Sequence, residues 1–157
     1  MGWGSKDGIG LWESPGAEAR NLGAGFQLAL ACDMILAAPD ARFAMRETSW
    51  GLVPDLAGTW PLVRAVGYGR ALEICATGRE VDADEGYRLG FVTRVEADPD
   101  AALTELLGSL RVTPPGAVRE LTSLLRGAQD RTASEQQAAE RAAQARRLRS
   151  LPALLGG

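Results

Sequence analysis

From Gly25 to Ala38 the chain is apolar with one main interruption, at Asp33, and this stretch limits what the sequence can fold into. Gly25–Asp33 carries apolar residues on all faces of a 3.6-residue period, and Met34–Ala38 is a short apolar run bounded by Pro39-Asp40. A helix that is apolar all round, followed at once by a short apolar run, reads as a buried helix feeding a buried strand. That pairing belongs to an α/β core. The longest apolar run, Leu28–Ala38, is far short of the roughly 20 residues needed to cross a bilayer.

The rest of the chain reads as alternating elements that give way to helices. Arg42–Ala44 is expected to be a second short strand, and Glu47–Asp55 a loop. Leu62, Val63 and Val66, then Ala71, Leu72 and Cys75, fall at helical spacing and predict helices over Thr59–Val66 and Gly69–Ala76. Asp82-Ala-Asp-Glu85 has the spacing of an N-cap with its reciprocal acid, opening a short helix that ends at Gly90. Phe91–Val95 alternates like a strand. Helices are then expected over about 100–109, 115–126 and 133–149, the last opened by Thr132-Ala-Ser-Glu135. Residues 1–21 are rich in Gly, Ser, Pro and charge without either period, and read as loop or disorder.

Composition removes several function classes. The 157 residues suffice for one domain with a real core, and 46% are hydrophobic. Without any histidine there can be no Ser-His-Asp triad, Cys-His dyad or His-ligated zinc, so proton transfer falls to Asp, Glu, Tyr, Lys or Cys. Cys32 and Cys75 lie inside apolar segments and read as reduced core thiols. The net charge of −3 gives no field that would draw the whole surface to nucleic acid. Arg141, Arg146, Arg147 and Arg149 leave a helical binding module open as an alternative, although a charged helix face is ordinarily just solvated. No nucleic-acid partner and no membrane are expected, and the N-terminal residues lack a signal-peptide apolar stretch, so a cytoplasmic location follows by default.

Gly23 and Gly25 allow a sharp turn into a helix whose first amides, Ala24 included, suit an anion. The plainer alternative is a tight turn before a core helix. A dinucleotide fingerprint would need a third glycine where Leu28 stands, and a strand where the polar Ala17–Asn21 lies.

Four segments in order together resemble the crotonase (enoyl-CoA hydratase/isomerase) superfamily. They are Asn21-Leu-Gly-Ala-Gly-Phe-Gln-Leu-Ala-Leu-Ala-Cys-Asp33, then Ala37-Ala-Pro-Asp-Ala-Arg-Phe43, and Glu47 through Gly51-Leu-Val-Pro-Asp-Leu-Ala-Gly-Thr59. The fourth comprises Arg70-Ala-Leu-Glu-Ile-Cys-Ala-Thr-Gly78 with Ala83-Asp-Glu-Gly-Tyr-Arg-Leu-Gly90. The resemblance implies an α/β fold, a partial crotonase-like ββα spiral over 22–98, followed by a helical trimerisation region over 99–157, with 1–21 outside the family. It implies an acyl-CoA thioester substrate, no cofactor beyond the coenzyme A of the substrate itself, and a homotrimer or hexamer.

It also implies roles. Ala24 matches the position whose amide gives one donor of the family's oxyanion hole, and Leu22, Gly23, Gly25, Leu52 and Pro54 match substrate-contacting positions. Hydratases carry a glutamate where this chain has Gln27; an amide cannot accept and return a proton near neutral pH. Glu47 keeps the second carboxylate, and Asp55 stands where hydratases have glycine and some isomerases of the family have aspartate. Gln27, Glu47 and Asp55 thus resemble the isomerase pattern more than the hydratase one. Enoyl-CoA hydration, or a catalytically dead remnant, is the alternative. Glu47 as a surface acid and Asp55 as a cap for the helix near Gly58 are the plain readings. Family members carry further chain ahead of this resemblance, including the second oxyanion-hole amide, and Leu151–Gly157 lacks the family's usual closing motif. Both ends read as those of a truncated member, expected to be weakly active or inactive alone.

Overall fold

The computed structural model of the protein describes residues 2–6, 9–14, 20–114 and 116–155, with the side chains of 2–6 and 151–155 excepted. Strands β1 (Gly2–Lys6), β2 (Ile9–Ser14) and β3 (Arg20–Leu22) precede helix α1 (Ala24–Leu30). Then come β4 (Met34–Ala37), β5 (Arg42–Ala44), a 3-10 turn over Glu47–Trp50, α2 (Thr59–Val66), α3 (Tyr68–Thr77), β6 (Val81–Asp82), α4 (Ala83–Leu89) and β7 (Arg94–Val95). Helices α5 (Pro99–Arg111), α6 (Ala117–Ala128) and α7 (Ala133–Leu155) complete the chain. This is the mixed α/β architecture expected from the sequence.

The strands form two small sheets. One has the order β1-β2-β4-β7 and the other β3-β5-β6. β2 runs parallel to β4, with Leu11 opposite Met34 and Ser14 opposite Ala37; β3 runs parallel to β5, with Leu22 opposite Ala44. The expectation of loop or disorder over 1–21 is therefore corrected at 2–6, 9–14 and 20–21, while 1, 7, 8 and 15–19 lie outside the described residues. Leu11, Trp12 and Ser14 are buried, and the partner that orders them is β4, more than twenty residues away. A strand also does precede the glycines at 23 and 25, contrary to the sequence reading of Ala17–Asn21, where Arg20–Leu22 is paired.

Local chemistry sets most boundaries. Helix α1 stops three residues earlier than the expected Asp33. Cys32 N–H donates to Ala29 in a tightened turn, and Asp33 faces the first sheet, accepting from Gly10 N–H at 2.7 Å while its own N–H donates to Gly10 O at 2.8 Å. The strand expected over Phe91–Val95 shrinks to Arg94–Val95. Gly90 takes φ +94°, and the amides of Gly90, Phe91 and Val92 all fold back onto Gly86 O. Thr132 exchanges bonds with Glu135 as expected, whereas at 82–85 Asp82 accepts from Glu85 N–H at 2.7 Å while the Glu85 carboxylate is taken by Arg79.

The chain divides into two compact units, one of 1–5 with 10–105 and the other of 6–9 with 106–157, so that the main division falls inside α5. In the first unit a cluster built around Phe26, Phe43 and Phe91 draws on α1, β5 and the turn after α4, with ring centroids 5.1–5.5 Å apart in tilted and edge-on pairs. Such geometry matches the aromatic quadrupoles and excludes water from behind α1. In the second unit α6 and α7 pack together, tied by a two-pronged Arg146–Glu120 pair at 2.7 and 2.8 Å. Among the described residues no helix is long and apolar enough to cross a membrane.

Candidate active site

Parallel pairing of β3 with β5 brings Leu22 beside Ala44, and Gly23 N–H extends the ladder to Ala44 O at 2.8 Å. The chain then turns into α1 through Gly23 at φ +51°, ψ −117°, a conformation that L side chains rarely adopt. A Cβ at this position would also lie 3.3 Å from Glu47 Oε1. The first-turn amides of α1, beginning with Ala24, have no intrahelical acceptor.

Glu47 opens the 3-10 turn that follows β5. Two contacts hold the turn: Leu52 N–H donates to Glu47 O at 3.0 Å, and Thr48 Oγ1 donates to Cys75 O on α3 at 2.6 Å. Gln27, on the inner face of α1, is only 1% exposed. Its Nε2 donates to Glu47 Oε1 at 2.6 Å, and its Oε1 accepts from Leu56 N–H at 2.8 Å and, more weakly, from Gly58 N–H at 3.4 Å. These two amides fix the orientation of the Gln27 side chain, because only the NH2 end can then face the carboxylate. Glu47 Oε2 is left as a buried oxygen with no hydrogen-bond partner. Burial pushes the Cys75 thiol above its ordinary range, and the charge of Glu47 adds to this.

A cavity of about 520 Å³ opens in front of these groups. Five of the residues singled out by sequence line it: Leu22, Gly23, Ala24, Glu47 and Leu52. Gln27 is hydrogen-bonded to Glu47 and is not itself among the lining residues. Gly25, Pro54 and Asp55 are not among the lining residues, and the Asp55 side chain is exposed on the loop before α2. Arg46, Ser49 and Trp50 also line the cavity; Ser49 and Trp50 lie in the Ser49–Leu56 loop that the sequence reading linked to acyl-group preference, and Arg46 was missed. The signal available for Arg46 was its place beside Glu47; Trp50 is a large aromatic that stays 79% exposed. Arg46 is paired with Glu80 at 3.0 Å, and Arg20 joins the same carboxylate at 3.5 Å. Among the described lining residues Glu47 is the one carboxylate. The described residues contain no cluster of three or more His, Cys, Asp or Glu side chains that could hold a metal.

This arrangement of an unpartnered carboxylate oxygen beside free helix amides is suited to removing a proton next to a carbonyl whose oxygen gains negative charge. Comparison with known proteins points the same way. A Rhizobium meliloti (strain 1021) protein provisionally named an enoyl-CoA hydratase is 44% identical over 88 residues, 56% of this chain and 34% of that protein. The short-chain-enoyl-CoA hydratase of Clostridioides difficile is 39% identical over 82 residues, 52% of each chain. Among solved structures, a Thermobifida fusca YX protein provisionally named an enoyl-CoA hydratase, in complex with acetoacetyl-CoA, superposes with a TM-score of 0.86 at 40% identity. That superposition covers 92% of this chain and 56% of the other. The chain thus spans between a third and just over half the length of these relatives. The family model described as enoyl-CoA hydratase/isomerase matches residues 19–151, most of the sequence, and the chain belongs to that family.

Proposed function

We propose that the chain acts on an unsaturated acyl-CoA thioester and shifts its double bond, with Glu47 moving the proton and the Ala24 amide receiving the enolate oxygen. Glu47 Oε2 takes a proton from the carbon between the thioester carbonyl and a β,γ double bond. The electron pair moves onto the carbonyl oxygen, and the same carboxylate returns the proton at the γ carbon, leaving an α,β double bond. No cofactor is needed beyond the coenzyme A of the substrate. Support for the substrate class comes from the Thermobifida fusca structures, one solved with CoA and one with acetoacetyl-CoA. Leu22, Gly23 and Leu52 are the proposed acyl contacts, with Gly25 and Pro54 shaping the turn and loop that carry them.

The observation that carries isomerisation over hydration is the 2.6 Å bond between Gln27 Nε2 and Glu47 Oε1. Hydration needs a water held and activated by acid/base groups, and here the two side chains touch, with no gap for water between them. Gln27 itself cannot exchange a proton. Asp55 is the second carboxylate suggested by sequence; its side chain is exposed and outside the cavity lining, which supports assigning the proton transfer to Glu47. Hydration remains the second reading, favoured by the hydratase names of the relatives.

The test measures rates on a 3-enoyl-CoA and a 2-enoyl-CoA with the purified chain. Isomerisation is expected to exceed hydration, Glu47→Gln to cost at least about 10²-fold, and Asp55→Asn less than about tenfold, below the 10²-fold scale of a lost acid or base. Faster hydration overturns the isomerase reading. Turnover of neither substrate matches the sequence expectation of a weakly active or inactive chain and favours the remnant reading.

A further inference from the structure

Gly58 precedes α2 with φ −63° and ψ −23°, ordinary helical values open to any residue. What calls for glycine here is contact. A Cβ at 58 would lie 2.6 Å from Gln27 Cγ, 2.9 Å from its Cβ and 3.1 Å from its Cα. The last two atoms belong to α1 itself, so a new rotamer of Gln27 does not relieve the clash. The loop before α2 therefore rests directly on Gln27, and this close approach is what lets Leu56 and Gly58 donate to Gln27 Oε1. The same loop carries Leu52 into the cavity lining.

We infer that Gly58 is a positioning residue: by seating the 52–58 loop on Gln27 it commits the Gln27 NH2 group to Glu47 Oε1 and so reserves Glu47 Oε2 for the reacting proton. The chain of contacts is continuous, from Gly58 to Gln27 to Glu47. It gives each oxygen of Glu47 a separate task, one anchored and one without a partner. A bulkier residue at 58 pushes the loop and Gln27 apart, the carboxylate becomes free to rotate, and the two oxygens become interchangeable. The role of Oε2 rests on the function proposed above; the contact chain does not.

The test therefore reads the contact chain without substrate. In 15N-edited NMR of the full chain, one Gln27 side-chain NH2 proton is expected downfield and protected from exchange, and Glu47→Ala should return it to the ordinary envelope. Gly58→Ala is expected to do the same while the chain stays folded, and to remove exchange protection from the Leu56 amide. In the isomerase assay it should lower kcat about tenfold or more with KM unchanged, the scale of an ångström-level misplacement. In a Gln27→Met background the same substitution should add less than twofold. A wild-type Gln27 signal in Gly58→Ala overturns the inference. Should that variant not fold, Gln27→Met decides: Leu56 protection at the wild-type level overturns the inference, and its loss supports it. NMR results as expected beside an inactive chain would refute the proposed function and leave the positioning role standing.

Discussion

Asn21 carries more of the fold than its place in a polar segment suggests. It is fully buried on β3, in the second sheet, and reaches to the first, where Trp12 Nε1 donates to its Oδ1 at 3.2 Å and its own Nδ2 donates to Ser14 Oγ at 2.8 Å. Trp12 and Ser14 lie on β2, so one side chain joins the two sheets immediately before Leu22 and Gly23 enter the cavity lining. Asn21→Ala removes both bonds and strands the indole N–H and the Ser14 hydroxyl in a dry interior. At about 1–3 kcal/mol for each buried group left unpaired, the two groups together cost about 2–6 kcal/mol. Against a total stability of about 5–15 kcal/mol for a natural domain, that is a large share. Urea unfolding followed by far-ultraviolet circular dichroism measures it. Ser14→Ala in the same background should cost less than the sum of the two single substitutions, since it removes one of the stranded groups. A loss below about 1 kcal/mol for Asn21→Ala, where stranded groups are expected to cost more, refutes the account of Asn21 as the tie between the sheets.

Phe43→Ala should cost about 3–5 kcal/mol by opening a void between Phe26 and Phe91, read from the same urea curves, and a cost near 1 kcal/mol would mean that the cluster collapses to fill it. The Cys75 thiol, pushed up by burial and then by Glu47, should alkylate more slowly than a free cysteine near pH 8, and Glu47→Gln should quicken it; peptide mass mapping after timed iodoacetamide exposure resolves the site. Glu73, Glu120 and Glu135 are held below the ordinary carboxylate range by Arg79, Arg146 and Thr132, so their contribution is present above that range and lost as pH falls through it and below. Glu13, raised by burial and then by Asp100, has the opposite sign, so the expected net effect of acid is destabilisation, and thermal melts that rise between pH 5 and 3 would refute it. Helices α6 and α7 leave Leu121, Leu125 and Leu148 at 53–63% exposure, and association into a trimer or hexamer should appear in light scattering as three or six times the 16.6 kDa chain mass; a monomer refutes it.

What the sequence disclosed depended on how far apart the deciding residues lie. Asp82 with Glu85 and Thr132 with Glu135 are three apart, and each first residue caps its helix as the spacing implies. The helical spacing of Leu62 and Val66, and of Ala71 and Cys75, placed α2 and α3 to within a residue or two, because an amphipathic period is also local. β2 escaped detection because what makes Ile9–Ser14 a strand is its pairing to Met34–Ala37, and nothing within Ile-Gly-Leu-Trp-Glu-Ser announces that partner. Phe91 and Val92 alternate as a strand should, yet their amides are taken by Gly86 O, a competition that periodicity does not register.

The site divides along the same line. The twenty-residue separation of Gln27 and Glu47 carries no meaning as a local pattern; only resemblance to a family singled the pair out, and their 2.6 Å bond comes from α1 and the turn after β5 facing each other across a strand pair. Resemblance also pointed to Asp55, but a loop position is fixed by what the loop rests on, and here that is Gln27, through Leu56 and Gly58. Seating those two amides on the Gln27 carbonyl leaves the Asp55 side chain exposed and outside the cavity lining. The contact that places this loop is thus a hydrogen bond from backbone, which any residue at 56 other than proline could donate. No pattern of side chains reports a bond made by the main chain, so the seating of this loop had to be read from coordinates, while the family could be read from the sequence.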